Sequence, residues 1–144
     1  MMYDVNVKRI KVQLCYLTQC QEVLRQIDPQ TTGLTEKFAA ERALHLAVEC
    51  MIDIGSVMID GFIMRDPGGY SDIVEILLDE KVISADVAKT LKKHVQLRER
   101  LVRYYDKVTW TEIRPMLGDM ELYTSFSEQV ESYLMQELGA DWLV

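Results

Sequence analysis

Only three prolines and seven glycines interrupt 144 residues, so the chain has few places to turn sharply and long helices are what it can most readily build. Apolar residues between those breakers recur at helical spacing. Val7, Ile10, Leu14, Leu17 and Leu24 predict a helix from about Asp4 to Ile27, stopped by Asp28-Pro29 and the Thr31-Thr32-Gly33 loop. Leu44, Ala47, Met51, Ile54, Met58 and Phe62 line one face of a second helix, from about Thr35 to Phe62. After the Arg65 to Tyr70 turn, Ser71 is expected to cap a short helix reaching Asp79, and Ser84 a long one from Ala85 to Tyr105. Thr109-Trp110-Thr111-Glu112 has the form of a capping box, opening a segment that Pro115 and Gly118 are expected to break. A last amphipathic helix is read from Met120 to Leu138. No strand pattern competes and no repeat or linker is visible. The expectation is an all-α, up-and-down bundle of about five helices, with 1-144 as a single domain.

Composition narrows the function classes. With 49% hydrophobic and 27% charged residues, the chain reads as globular. Its most apolar stretch, Leu44 to Met64, holds His45, Glu49, Asp53 and Asp60, too many polar groups for a membrane span. The N-terminus lacks the apolar run of a signal peptide. Cys15, Cys20 and Cys50 are odd in number and lack metal-finger spacing, so reduced, mostly buried thiols and a cytoplasmic protein are expected. A net charge of -7 argues against non-specific nucleic-acid binding. Yet residues 89–114 carry eight basic against three acidic side chains, while the remainder carries eight against twenty. That basic segment is either a docking place for phosphate or a solvated face whose cations meet neighbouring acids.

The same segment puts polar groups on an apolar stripe. Val87, Leu91, His94, Arg98, Leu101 and Tyr105 fall on one side of the fourth helix. Arginine is rarely buried unpaired. Arg98 therefore either pairs with a second-helix carboxylate, Asp53 or Glu49, or lines a cleft or seam with Arg103 and Tyr105 and meets phosphate. On the second helix Arg42, His45, Glu49, Asp53, Ser56 and Asp60 form a polar side. His45, Glu49 and Asp53 imitate a metal set, but one helix rarely puts three ligands in one coordination sphere, so no metal is expected and a hydrogen-bonded network with Arg98 or Arg103 is preferred. His94 reads as a satisfied, half-buried histidine, with entry into the cleft as the alternative. No phosphate loop, nucleophile elbow or zinc motif occurs, and no cofactor is expected.

Leu97-Arg98-Glu99-Arg100-Leu101-Val102-Arg103-Tyr104-Tyr105-Asp106 resembles the signature of HepT-like proteins of the HEPN superfamily: Arg, four to six residues, His, one residue, Tyr. Glu41 to Gly55 resembles that family's second helix, and Asp60 to Val82 the connection that follows, notably in its YutE-like branch. Together the resemblance spans roughly Val7 to Val108. It implies a HEPN-type bundle forming a homodimer, in which two signature helices build a composite basic cleft. It implies a metal-independent endoribonuclease of a toxin–antitoxin type system, with Arg98 at the signature arginine, and on that reading Arg98 and Arg103 are expected to contact RNA phosphate. It further implies a nucleotidyltransferase antitoxin that attaches AMP to the signature tyrosine, here Tyr105.

Two positions depart from the signature. Arg103 stands at the histidine position, and Glu99 stands where asparagine is usual. RNA cleavage without metal needs a group that exchanges protons near neutrality, as histidine does. Arginine stays protonated and can only stabilise charge. Glu99 and Arg103 are spaced to form a helix ion pair. The sequence thus supports two functions: a ribonuclease using Arg98 and Arg103, with His94 as a substitute proton carrier, or a non-catalytic homodimeric interaction protein held by Glu49, Asp53 and Glu99.

Overall fold

In the computed structural model, which describes residues 3–143, six α-helices follow one another: α1 (Val7–Arg25), α2 (Leu34–Gly61), α3 (Tyr70–Asp79), α4 (Ala85–Arg103), α5 (Trp110–Leu117) and α6 (Met120–Leu138). A 3-10 turn, Gly139–Leu143, closes the described chain, and no strand occurs among the described residues. The all-α reading stands, with one more helix than the five or so expected. Pro115 does not break α5. Proline has no N–H to give the Thr111 carbonyl four residues back, the chain tolerates that loss, and the helix ends two residues later at Leu117, with Gly118 as its C-cap.

The ends of the helices correct other boundaries. Asn6 caps α1 by accepting the Arg9 amide at 3.1 Å, so the helix starts later than periodicity suggested. Ser84 caps α4 as expected, accepting from the Val87 amide at 3.3 Å. Ser71 does not cap α3. Gly69 holds that position, and the Asp72 carboxylate accepts the Gly68 amide at 2.8 Å. The α2 and α3 ends share one design. Ile63 and Lys81 take left-handed backbone angles, φ 55 and φ 61, while Met64 and Val82 donate back to the Ile59 and Leu77 carbonyls. α4 stops at Arg103, which leaves Tyr105 beyond the helix.

The long α2 is the element the others cover. Its Leu44, Met51, Ile54 and Met58 are fully buried against Ile10, Leu17 and Leu24 of α1, Leu77 of α3 and Leu91 of α4. Each such side chain contributes roughly 1.5–3 kcal/mol by leaving water. Cys20 and Cys50 are buried and Cys15 is exposed. Burial pushes the Cys50 thiol up to about 12, so it remains an inert donor to the Gln13 carbonyl at 2.8 Å. One contact matters most for the site. A Cβ on Gly55 would lie 2.8 Å from Ile73 Cγ2 and 3.1 Å from Leu77 Cδ1. Glycine thus lets α3 lie directly on α2, and the first residue of α3, Tyr70, is delivered to the polar side of α2.

Candidate functional site

Arg98 sits where α2, α3 and α4 converge. Its Nε donates to Glu49 Oε1 at 2.6 Å, and the other oxygen of Glu49 accepts the Tyr70 hydroxyl at 2.7 Å. The guanidinium carbon stands 4.2 Å from the Tyr70 ring centroid, a stacked cation–π contact. One carboxylate therefore fixes two groups, and the Tyr70 ring fixes the plane of the arginine. Both side chains of the ion pair are about a quarter exposed, 23% for Arg98 and 26% for Glu49. The two Nη groups of Arg98 make no hydrogen bond to protein among the described residues. Burial pushes the Glu49 carboxyl up, but the Tyr70 hydroxyl and Arg98 outweigh it and hold the group below its ordinary value.

His45 lies one turn before Glu49, with Nε2 at 3.4 Å from Glu49 Oε1 and a side chain 25% exposed. Burial lowers its pKa, Glu49 pulls the other way, and Arg42 and Arg98 lower it further, so the imidazole is neutral at pH 7. Asp53 does not reach Arg98. It sits exposed one turn beyond Glu49, its pKa raised by desolvation and by the Glu49 charge, with Arg9 opposing. Of the two carboxylates proposed as partners of Arg98, the axial register of α4 on α2 selects Glu49. His45, Glu49 and Asp53 share α2, and among the described residues no group of three or more His, Cys, Asp or Glu is arranged to hold a metal ion.

Farther along α4 the charges close on themselves. Arg103 Nε meets Glu99 Oε1 at 2.9 Å, with side chains 69% and 49% exposed. Arg103 therefore joins its own helix, not the α2 network suggested for it. Arg100 Nε donates to Glu112 Oε1 at 2.8 Å, tying α4 to α5, and its guanidinium lies 5.5 Å from the Tyr104 ring. Tyr105 is 72% exposed.

His94 is not half-buried and does not enter this region. It is 1% exposed, its Nε2 lies 2.9 Å from Asp119 Oδ2, and its ring meets Tyr123 edge-on. Nδ1 has no partner. Burial lowers the His94 pKa, against the pull of Asp119. A neutral imidazole sealed inside the bundle cannot exchange protons with a substrate.

Beside Arg98 opens a cleft of about 1050 Å³ between the Gly68 to Asp72 turn, α4 and α5, with Lys93, Gln96, Arg100 and Met116 among its walls. Tyr70 is the residue that sequence reasoning missed. Its position at the first turn of α3, after a Gly-Gly pair, gave no periodic signal. An aromatic placed beside a turn that leads back to a polar helix face was the available clue.

Comparison with known proteins yields a consistent set. A family model described as "Ribonuclease HepT-like" matches residues 14–132. The protein named "Putative RNase YutE" of Bacillus subtilis (strain 168) is 38% identical over 141 residues, covering 96% of each chain. The solved structure of YutE from Bacillus subtilis, described there as a cytosolic protein of unknown function, superposes with a TM-score of 0.88 at 36% identity, covering 96% of both chains. A tri-AMPylated Shewanella oneidensis HEPN toxin, solved in complex with an MNT antitoxin, has the same fold at 18% identity, with a TM-score of 0.79, 86% of this chain and 97% of that one covered.

Proposed function

The chain belongs to the HepT-like ribonuclease family, and from that premise we propose that it is a toxin-type endoribonuclease acting without metal on RNA bound at Arg98. The observation that carries the reading is the state of that arginine. Glu49 and Tyr70 hold it by Nε and by its face, while both Nη groups have no partner among the described residues and stand beside a cleft of about 1050 Å³. A pre-oriented guanidinium with free paired donors suits a phosphodiester, whose two non-bridging oxygens accept in parallel. Arg103, Lys93 and the rest of the basic segment supply attraction to the RNA backbone.

In this reading the protein works as a homodimer with two copies of α4 near each other, and a nucleotidyltransferase antitoxin is its partner. Tyr105 is the acceptor for AMP. Its exposure suits enzymatic access, and a structural neighbour of the same fold is an AMPylated toxin bound to its antitoxin. No helix among the described residues is long and apolar enough to cross a membrane.

A second reading is favoured by one observation: Arg103, at the signature histidine position, is closed in an ion pair with Glu99. A non-catalytic homodimeric interaction protein needs no proton carrier there. The deciding experiment is cleavage of a mixed tRNA and mRNA pool in chelator by wild type, Arg98→Ala and Arg103→His. Cleavage by wild type that Arg98→Ala abolishes supports the ribonuclease. Cleavage by Arg103→His alone, or by no variant, supports the interaction protein.

A further inference from the structure

We propose that His45 is the proton-accepting catalytic residue of this chain, set beside Arg98 by the carboxylate they share. The inference rests on the ribonuclease reading above and deepens it. Opening an RNA phosphodiester at neutral pH requires a side chain that is partly unprotonated there yet basic enough to take the proton of the 2′-hydroxyl. The chain has two histidines. His94 is sealed against Asp119 and Tyr123. The arginines stay protonated. Cys20 and Cys50 are buried, with thiols raised by that burial. That leaves His45 as the imidazole that solvent can reach.

Its surroundings are those of a working base. Glu49 Oε1 is shared between His45 Nε2 at 3.4 Å and Arg98 Nε at 2.6 Å, so the separation of imidazole from guanidinium cannot exceed those two spans end to end. His45 is not among the walls of the cleft itself, so in this proposal a phosphate held by the Nη groups of Arg98 extends its ribose over the α2 side of the guanidinium, toward His45. Nε2 is the ring nitrogen that faces the carboxylate, at 3.4 Å, and a proton carried there leaves the lone pair on Nδ1, which has no protein partner among the described residues. That is the arrangement by which a carboxylate orients a histidine base. The groups acting on the imidazole charge are Glu49 and Arg42 on its own helix and Arg98 on α4, and with burial they favour the neutral form.

The step balances without a co-reactant. Nδ1 takes the 2′-hydroxyl proton as the 2′-oxygen bonds to phosphorus. The bond from phosphorus to the 5′-oxygen breaks, and that oxygen takes a proton from solvent. The products are a 2′,3′-cyclic phosphate and a 5′-hydroxyl. The imidazolium then returns its proton to water. Arg98 neutralises the charge that builds on the non-bridging oxygens.

The test is metal-free cleavage of a defined single-stranded RNA by wild type, His45→Ala and His45→Gln, with affinity measured on the same RNA carrying 2′-deoxy sugars and folding checked by thermal melts. Both variants are expected to bind within about threefold of wild type and to lose roughly a hundredfold or more in rate. Added imidazole should restore part of the rate of His45→Ala. The wild-type rate should climb with pH and level off below the ordinary histidine value of 6.5. Wild-type-like cleavage by His45→Gln, or loss of rate tracking loss of binding or folding, makes the histidine structural and overturns the proposal. No cleavage by wild type overturns the ribonuclease reading and this proposal together, an outcome distinct from an active wild type with an active His45→Ala.

Discussion

Arg98 and Arg103 leave the same helix little more than one turn apart and end in opposite situations. Arg98 reaches across to α2 and α3, where a carboxylate and an aromatic ring hold it with about a quarter of its side chain exposed. Arg103 folds back onto its own helix, with more than two thirds of its side chain in water. Both ion pairs are short. Their energetic weight differs because one is shielded from solvent and links three elements, while the other is screened and local. A contact distance alone would rank them alike.

The largest effect expected from this contrast is that of Arg98→Ala. It leaves the Glu49 carboxylate half-buried without its cation and Tyr70 without its stacking partner. A loss of roughly 2 kcal/mol follows for a charge-assisted hydrogen bond of this kind. Urea melts read the loss, and a double-mutant cycle with Glu49→Ala isolates the coupling. A coupling below about 0.5 kcal/mol would put Arg98 in the same class as a surface pair and erase the contrast.

Tyr70→Phe separates the two ways in which Tyr70 holds the site. The ring and its cation–π contact remain, and the hydroxyl that Glu49 accepts at 2.7 Å is gone. The expected loss is about 1 kcal/mol. A carboxyl titration by NMR should show the Glu49 pKa moving up in this variant. The pH dependence follows from the sign of that shift. Glu49 is held below its ordinary value in the fold, so its stabilisation is present above the ordinary glutamate range and is lost as pH falls through the lower folded value. Tyr70→Phe narrows that window from below. An unmoved Glu49 titration would show that the hydroxyl contributes nothing to holding the carboxylate.

These residues also mark how far the sequence could be read. Helical periodicity carried the bundle, because Leu44, Met51, Ile54 and Met58 had to face one way whatever covered them. It could not choose between Glu49 and Asp53 as partner of Arg98. They lie one turn apart on one side of α2, and the choice depends on how far α4 slides along α2. Tyr70 was invisible for a related reason: its place depends on α3 docking over Gly55, a contact between elements. The stripe on α4 did put His94 on the apolar side, but its partner Asp119 comes from the short link before α6, so full burial did not follow from spacing. Pro115 misled because a breaker near the end of a short helix removes only one bond.

A smaller effect is expected from acid at the contact between buried His94 and Asp119. Burial holds the His94 pKa below 6.5 despite Asp119 on one side, with Lys93 nearby also lowering it. The unfolded chain therefore binds this proton more readily than the folded one. Stability is full above the unfolded value of about 6.5 and falls as pH drops toward the lower folded value. His45 is shifted the same way by its own surroundings and adds to the slope. His94→Gln should flatten the fall between pH 6.5 and 5 more than His45→Gln does, in thermal melts taken across that range. Equal slopes in the two variants would mean that depth of burial does not set the acid sensitivity.

The smallest effect belongs to Arg103. Removing it by Arg103→Ala breaks an i to i+4 pair that salt already screens, so stability should change by less than about 0.5 kcal/mol. The pair also sits in the last turn of α4, where a cation favours the helix dipole, and Glu99 remains solvated when its partner leaves. Raising ionic strength should shrink even that difference, while the Arg98 coupling persists because its partners are shielded. RNA affinity is not expected to follow that ordering, because both arginines are proposed to meet phosphate. An exposed cation free to leave Glu99 can follow a phosphate backbone, so Arg103→Ala should weaken binding across all sequences and lower the salt slope by about one. A stability loss near that of Arg98→Ala, with RNA binding intact, would make Arg103 a structural residue and leave Arg98 as the only one of the two arginines at the phosphate.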